Sequence, residues 1–141
     1  LGVHDGSRYV SNEVEVSYDD SLWHHFAVVK RKNKISVYID GNRRLEYNGT
    51  FSGFGSSPAI IGSFNGRGDF YSGKLDEISL WGDSLSKGDI KSIYNSGVAT
   101  DLRLHRATTK LKNWWRMGDH KRDSESTLYD LVSKEVATLI D

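Results

Sequence analysis

"WHHFAVVKRKNKISVYIDGNRRLEY", residues 23–47, turns back on itself twice. Its middle third alternates Ile35, Val37 and Ile39 against Ser36, Tyr38 and Asp40, the period of two that a β-strand with distinct faces requires. Asp40-Gly41 then supplies the positive φ values that a tight hairpin turn demands, and "RRLEYN" is the return strand. Upstream, "WHHFAVVKR" is apolar on both faces, with Trp23, Ala27 and Val29 on one side and Phe26 and Val28 on the other. That pattern predicts a central strand covered on two sides.

The same grammar extends outward. "EVEVSY" (13–18) places Val14, Val16 and Tyr18 opposite Glu13, Glu15 and Ser17. A Gly/Ser loop, "GTFSGFGSS", leads to "PAIIGSF" (58–64), where Pro58 is tolerated as the first residue of a strand. "KLDEISLW" (74–81) is the next strand. The one helix predicted is "SKGDIKSIYNSG" (86–97): Ser86 is the N-cap, Asp89 completes a capping box three residues on, and Gly97 stands where a C-cap glycine belongs. Six or seven closely spaced strands up to that helix, with no βαβ alternation, predict an all-β sandwich.

Composition limits function. The chain has 141 residues, four Trp, seven Tyr and five Phe, enough for one core and one domain. Nineteen basic and nineteen acidic residues cancel, and no basic stripe interleaved with aromatics occurs, so nucleic acid is not an expected partner. With no cysteine there is neither a disulfide framework nor a thiolate metal site. No apolar run approaches the roughly 20 residues of a spanning helix, so membrane insertion is not expected. Because Leu1 begins in mid-pattern, the N-terminal sequence is expected to be incomplete.

Residues 20–97 carry a resemblance. Trp-His-His, a hairpin ending Tyr-Ile-Asp-Gly, an Ile-Gly strand, "YSGKLDEISLW" and a Ser-capped helix follow one another as in the laminin-G-like and pentraxin-like members of the concanavalin A-like lectin/glucanase superfamily. The resemblance implies a jelly-roll sandwich of two antiparallel sheets with one short helix. The tail, "LKNWWRMGD" followed by "TLYDLVSKEVATLID", resembles the segment that usually opens such domains, and its placement after the helix is similar to versions in bacteriophage virion proteins. It departs from the family at "DLVSKEVA", where a Gly-Asn-rich turn is replaced. In the family the opening Trp strand lies beside the Asp-Glu strand, so residues 111–141 are expected to complete the same sandwich, with Trp114-Trp115 pairing near Leu75 to Trp81, and residues 1–141 to form one domain.

Three groups are candidates for chemistry. His24 and His25, adjacent on a strand, point to opposite faces and cannot converge on one ion, so the pair is expected to pack a strand start. Asp76 shares a face with Ile78 and Leu80, and a core-facing carboxylate must be hydrogen-bonded or bound to a cation. The preferred reading is a cap on loop N–H groups; the other, implied by structural calcium in some superfamily members, is a Ca²⁺ ligand. The loop "NGRGDFY" presents Asn65, Arg67, Asp69 and Tyr71 as ligand-binding residues. Arg67-Gly68-Asp69 is also the tripeptide displayed by integrin ligands, here expected to be only a glycine-rich turn.

A glucanase would need two carboxylates flanking a cleft, and the Glu-x-Asp-x-x-Glu pattern of the glucanase families is absent, so no catalysis is expected. The expected function is a lectin-like module in a virion fibre, tail or capsid decoration, binding glycan or a host surface beside other virion proteins, in one copy or as a homo-oligomer. The alternative is a carbohydrate-binding accessory module of a secreted or cell-surface bacterial protein or adhesin.

Overall fold

The computed structural model describes residues 2–4, 9–11, 18, 20–49, 60–63, 68 and 70–139. The chain divides into two compact units, one from Leu1–Gly53 with Asp83–Thr109 and the other from Phe54–Gly82 with Lys110–Asp141. Among the described residues all strand pairing is antiparallel, and a single short α-helix accompanies it, consistent with an all-β fold.

In the first unit, β1 (Gly2–His4) and β2 (Tyr9–Ser11) pair as a two-stranded ribbon. A three-stranded sheet follows from β3 (Phe26–Arg31), β4 (Lys34–Ile39) and β5 (Asn42–Asn48), with β4 in the middle. The turn between β4 and β5 has Asp40 at φ 51° and Gly41 at φ 71°. Two successive positive φ values match the right-handed twist of the flanking strands, which is why Asp-Gly is found there. Gly41 has a second constraint: a Cβ on it would stand 3.1 Å from the Tyr94 ring and 3.5 Å from the Lys91 backbone.

β4, and not β3, is the covered strand. Ile35 through Ile39 are all buried, Val37 at 1% exposure, whereas Phe26 and Val28 of β3 are exposed. The apolar content of "WHHFAVVKR" overstated its burial, because in the described sheet β3 is paired on one side only.

Helix α1 (Lys87–Tyr94) begins as expected. Ser86 Oγ accepts the Asp89 N–H, and the Asp89 carboxylate accepts the Ser86 N–H. It stops earlier than expected, at Asn95, whose φ of 43° is left-handed; Ser96 and Gly97 continue in positive φ. Asparagine tolerates that region well enough to take the place assigned to Gly97. Ile90 joins Leu85, Leu102 and Ala107 among the buried apolar residues of this unit.

In the second unit, β6 (Ile78–Trp81) pairs with β7 (Leu111–Trp115), Ile78 opposite Trp115 and Ser79 opposite Trp114. Trp114-Trp115 therefore pairs within the stretch that the sequence pointed to. β8 (Thr127–Tyr129) and β9 (Val136–Thr138) form a second pair, and Leu111, Trp114, Leu128 and Tyr129 are buried. β6 is shorter than "KLDEISLW" because Glu77 sits at φ 52°, outside the extended region, so the alternation cannot run back through it. Ile60–Ser63 is not a strand.

Candidate functional site

The loop entering β6 carries two exposed aromatics. Phe70 is 68% and Tyr71 57% exposed. The Tyr71 N–H donates to the Gly62 carbonyl at 2.7 Å, which ties this stretch to the chain before it, and Gly62 adopts φ 88° to present that oxygen. Tyr71 folds its ring over Gly73: a Cβ at residue 73 would lie 2.6 Å from the phenol oxygen and 2.8 Å from the ring edge. Glycine thus gives the ring its seat. Of the other residues expected to bind ligand, Asn65, Arg67 and Asp69 lie outside the described residues, while Gly68 is half-buried.

Asp76 does not face the core. It is exposed and accepts the N–H of the next residue, Glu77, at 2.8 Å. The reason is the left-handed Glu77, which reverses the alternation assumed for this strand. Among the described residues no group of three or more His, Cys, Asp or Glu side chains is placed to hold a metal ion.

The carboxylate that turns inward is Glu77. Its Oε2 accepts from Trp114 Nε1 at 2.6 Å and its Oε1 from Arg116 Nε at 3.0 Å. Arg116 also donates to Asp119 at 2.9 Å and lies over the Trp114 ring at 5.7 Å. A second carboxylate, Asp130, is 1% exposed. It accepts from the Trp114 N–H (2.9 Å), the Val132 N–H (2.8 Å), Ser133 Oγ (2.6 Å) and Asn113 Nδ2 (2.5 Å). Burial pushes this carboxyl up, and the four donors outweigh it, holding it below the usual range. Four residues on, Lys134 adopts a φ of 69° that a glycine would take more easily.

In the first unit, Trp-His-His does not pack as a unit: Trp23 is exposed, and the two histidines are held by different neighbours. His24 Nδ1 lies 2.8 Å from Asp40 and Nε2 lies 3.1 Å from Asp20, while the His25 N–H donates to the other Asp40 oxygen at 2.9 Å. The His25 ring goes the other way, to Tyr94 at 5.9 Å. The two imidazoles diverge, as alternation required.

An all-β fold with an Asp-Gly hairpin, a Ser-capped helix and aromatics displayed on a loop defines a lectin-like β-sandwich class. The chain belongs to the concanavalin A-like lectin/glucanases superfamily, whose laminin-G-type model matches residues 2–91. It is also similar to a solved S-layer domain-containing protein (residues 221–444) from Clostridium thermocellum, with 19% identity over 62% of this chain and a TM-score of 0.49; the match spans 45% of that chain. No curated protein sequence matches the chain.

Proposed function

We propose that the chain is a non-catalytic glycan-binding module of a secreted or cell-surface protein, and that it holds a saccharide against Tyr71 and Phe70. The carrying observation is the exposure of these two consecutive aromatic residues in the loop before β6, on a member of a lectin-bearing superfamily. A ring with an apolar face and a polar tip suits a ligand whose own faces alternate C–H and O–H groups. Loops on a rigid sheet are also where such folds place their binding groups. Asn65, Arg67 and Asp69 are the polar residues of the same loop and supply the hydrogen bonds.

The virion setting rested on Trp-Trp-Arg-Met-Gly-Asp. Burial of Trp114 and the pairing of Arg116 with Glu77 give that segment a packing role, and no comparison indicates a virion protein. The secreted or cell-surface reading is therefore preferred.

Glycan-array binding of the full chain, with and without EDTA, tests the proposal. Wild type is expected to select a small set of glycans, Tyr71→Ala to weaken them by about tenfold or more, which is about 1.4 kcal/mol, and thermal melting to stay unchanged. Gly73→Ala, which unseats the ring without removing it, should weaken the same glycans. Binding to no glycan, or equal binding by wild type and Tyr71→Ala, overturns the reading; loss in EDTA would restore a calcium ion to it.

A further inference from the structure

The Asp20–His24–Asp40 group in the first unit has no part in the glycan site proposed above. Both ring nitrogens of His24 face carboxylates: Nδ1 is 2.8 Å from Asp40 Oδ2, and Nε2 is 3.1 Å and 3.3 Å from the two oxygens of Asp20. Carboxylates only accept, so both contacts are hydrogen bonds only when both nitrogens carry protons. A neutral imidazole has one N–H and can satisfy one partner. The geometry therefore asks for an imidazolium.

The two contacts are unequal. Asp40 is fixed in the hairpin turn, where its other oxygen accepts the His25 N–H and its own N–H donates to the His25 carbonyl at 2.9 Å. Asp20 is more exposed, with 46% of its side chain open against 26% for Asp40. It stands at the head of a turn in which its Oδ1 accepts the Leu22 N–H at 2.9 Å and Ser21 adopts a left-handed φ of 67°. That turn displays Leu22 and Trp23, 70% and 64% exposed.

We propose that His24 is a proton-dependent clip: as an imidazolium it fastens the Asp20–Trp23 turn to the Asp40-Gly41 hairpin, and on losing one proton it keeps Asp40 and releases Asp20. The presentation of Leu22 and Trp23 is thereby tied to pH.

The surroundings agree. Hydrogen bonds to Asp40 and then to Asp20 raise the His24 pKa above the usual histidine value. Asp20 is held low by the Leu22 N–H and by His24; at Asp40 burial pushes upward and the hydrogen bonds from His24 and His25 outweigh it. His25, the neighbouring imidazole, is pushed down by burial and so loses its proton at a lower pH than His24. Tyr18 sets its ring edge-on to His24 at 4.9 Å, and from α1 the Cα and Cγ of Lys91 stand 3.5 Å and 3.6 Å from where a Cβ on Gly41 would be. Asp19 lies outside the described residues. The clip is closed above the carboxylate range and opens as pH rises through the raised His24 pKa.

Side-chain ¹⁵N NMR of the full chain tests this. His24 should carry two protons at a pH where His25 carries one, and the Leu22 amide and Trp23 indole signals should move with the His24 midpoint while the Val37 amide does not. In Asp20→Asn the His24 midpoint should fall toward the ordinary imidazole range, and in His24→Gln the Leu22 and Trp23 signals should ignore pH on the alkaline side of neutrality. A His24 midpoint at or below that of an unfolded peptide overturns the proposal, as does a His24 titration to which Leu22 and Trp23 are indifferent. Should either variant lose the folded Val37 signal, the wild-type titration alone decides.

Discussion

Glu77 Oε2 accepts a 2.6 Å hydrogen bond from the indole N–H of Trp114, a side chain only 2% exposed. A buried indole donor needs a partner, and a charged acceptor makes the bond stronger than a neutral one. Removing the carboxylate in Glu77→Ala leaves Trp114 Nε1 and Arg116 Nε without it, and should cost about 1–3 kcal/mol in urea unfolding. Asp76→Ala, on an exposed side chain, should stay within about 0.5 kcal/mol of wild type. Equal effects at the two positions would contradict the assignment.

Asp130 should be the more sensitive position. Four donors converge on a carboxylate that is itself buried, so Asp130→Ala removes the shared acceptor of all four and should cost about 3 kcal/mol or more. Since the folded pKa is depressed, its contribution is complete above the unfolded value and is lost as pH falls through the folded one. Wild type should therefore lose stability on acidification in a way that Asp130→Asn does not, measured by melting temperature against pH.

Lys134 at φ 69° offers a gain. A left-handed conformation costs an L-residue roughly 1–2 kcal/mol, part of which glycine returns as lost chain entropy. Lys134→Gly should stabilise by about 0.5–1 kcal/mol, less whatever the bond from Lys134 Nζ to the Leu131 carbonyl contributes. A lower melting temperature would show that this side-chain bond outweighs the strain.

Asp89 couples the helix cap to pH. Hydrogen bonds from the Ser86 hydroxyl and N–H, then from Arg106, hold its carboxyl at about 2. The cap is fully made above the ordinary aspartate value and is lost as pH falls toward 2. Asp89→Ala should cost about 1–2 kcal/mol at neutral pH, and the gap to wild type should close in acid.

What could be seen in the sequence was local. The β4–β5 hairpin follows from alternation and Asp40-Gly41, the start of α1 from Ser86 and Asp89, and the pairing of β7 with β6 from the Trp-Trp segment of a resembling family. Glu77 was hidden because a left-handed residue inside an apparent strand exchanges the roles of two adjacent acids, and no pattern of period two registers that. His24 was legible as a packing residue, but its double hold depends on Asp20 and Asp40 converging in space. Asp130 was hidden for the same reason, since its donors come from residues 113, 114, 132 and 133. The left-handed backbone of Lys134 was hidden too, since nothing in "DLVSKEVA" marks a lysine for positive φ.

The Gly82 N–H meets the Lys110 carbonyl at 2.7 Å, and the residues between them, 83–109, belong to the other unit. Each unit is thus assembled from two separated pieces of chain. A protein cut between residues 82 and 83 has no intact unit on either side, so fragments for expression cannot be chosen by length. On the ribosome β3, β4 and β5 can pair as they emerge, whereas β6 must wait for residues 111–115. Until then Ile78–Trp81 lacks its partner strand, and an unpaired edge of this kind is where an unfinished chain is open to wrong pairing.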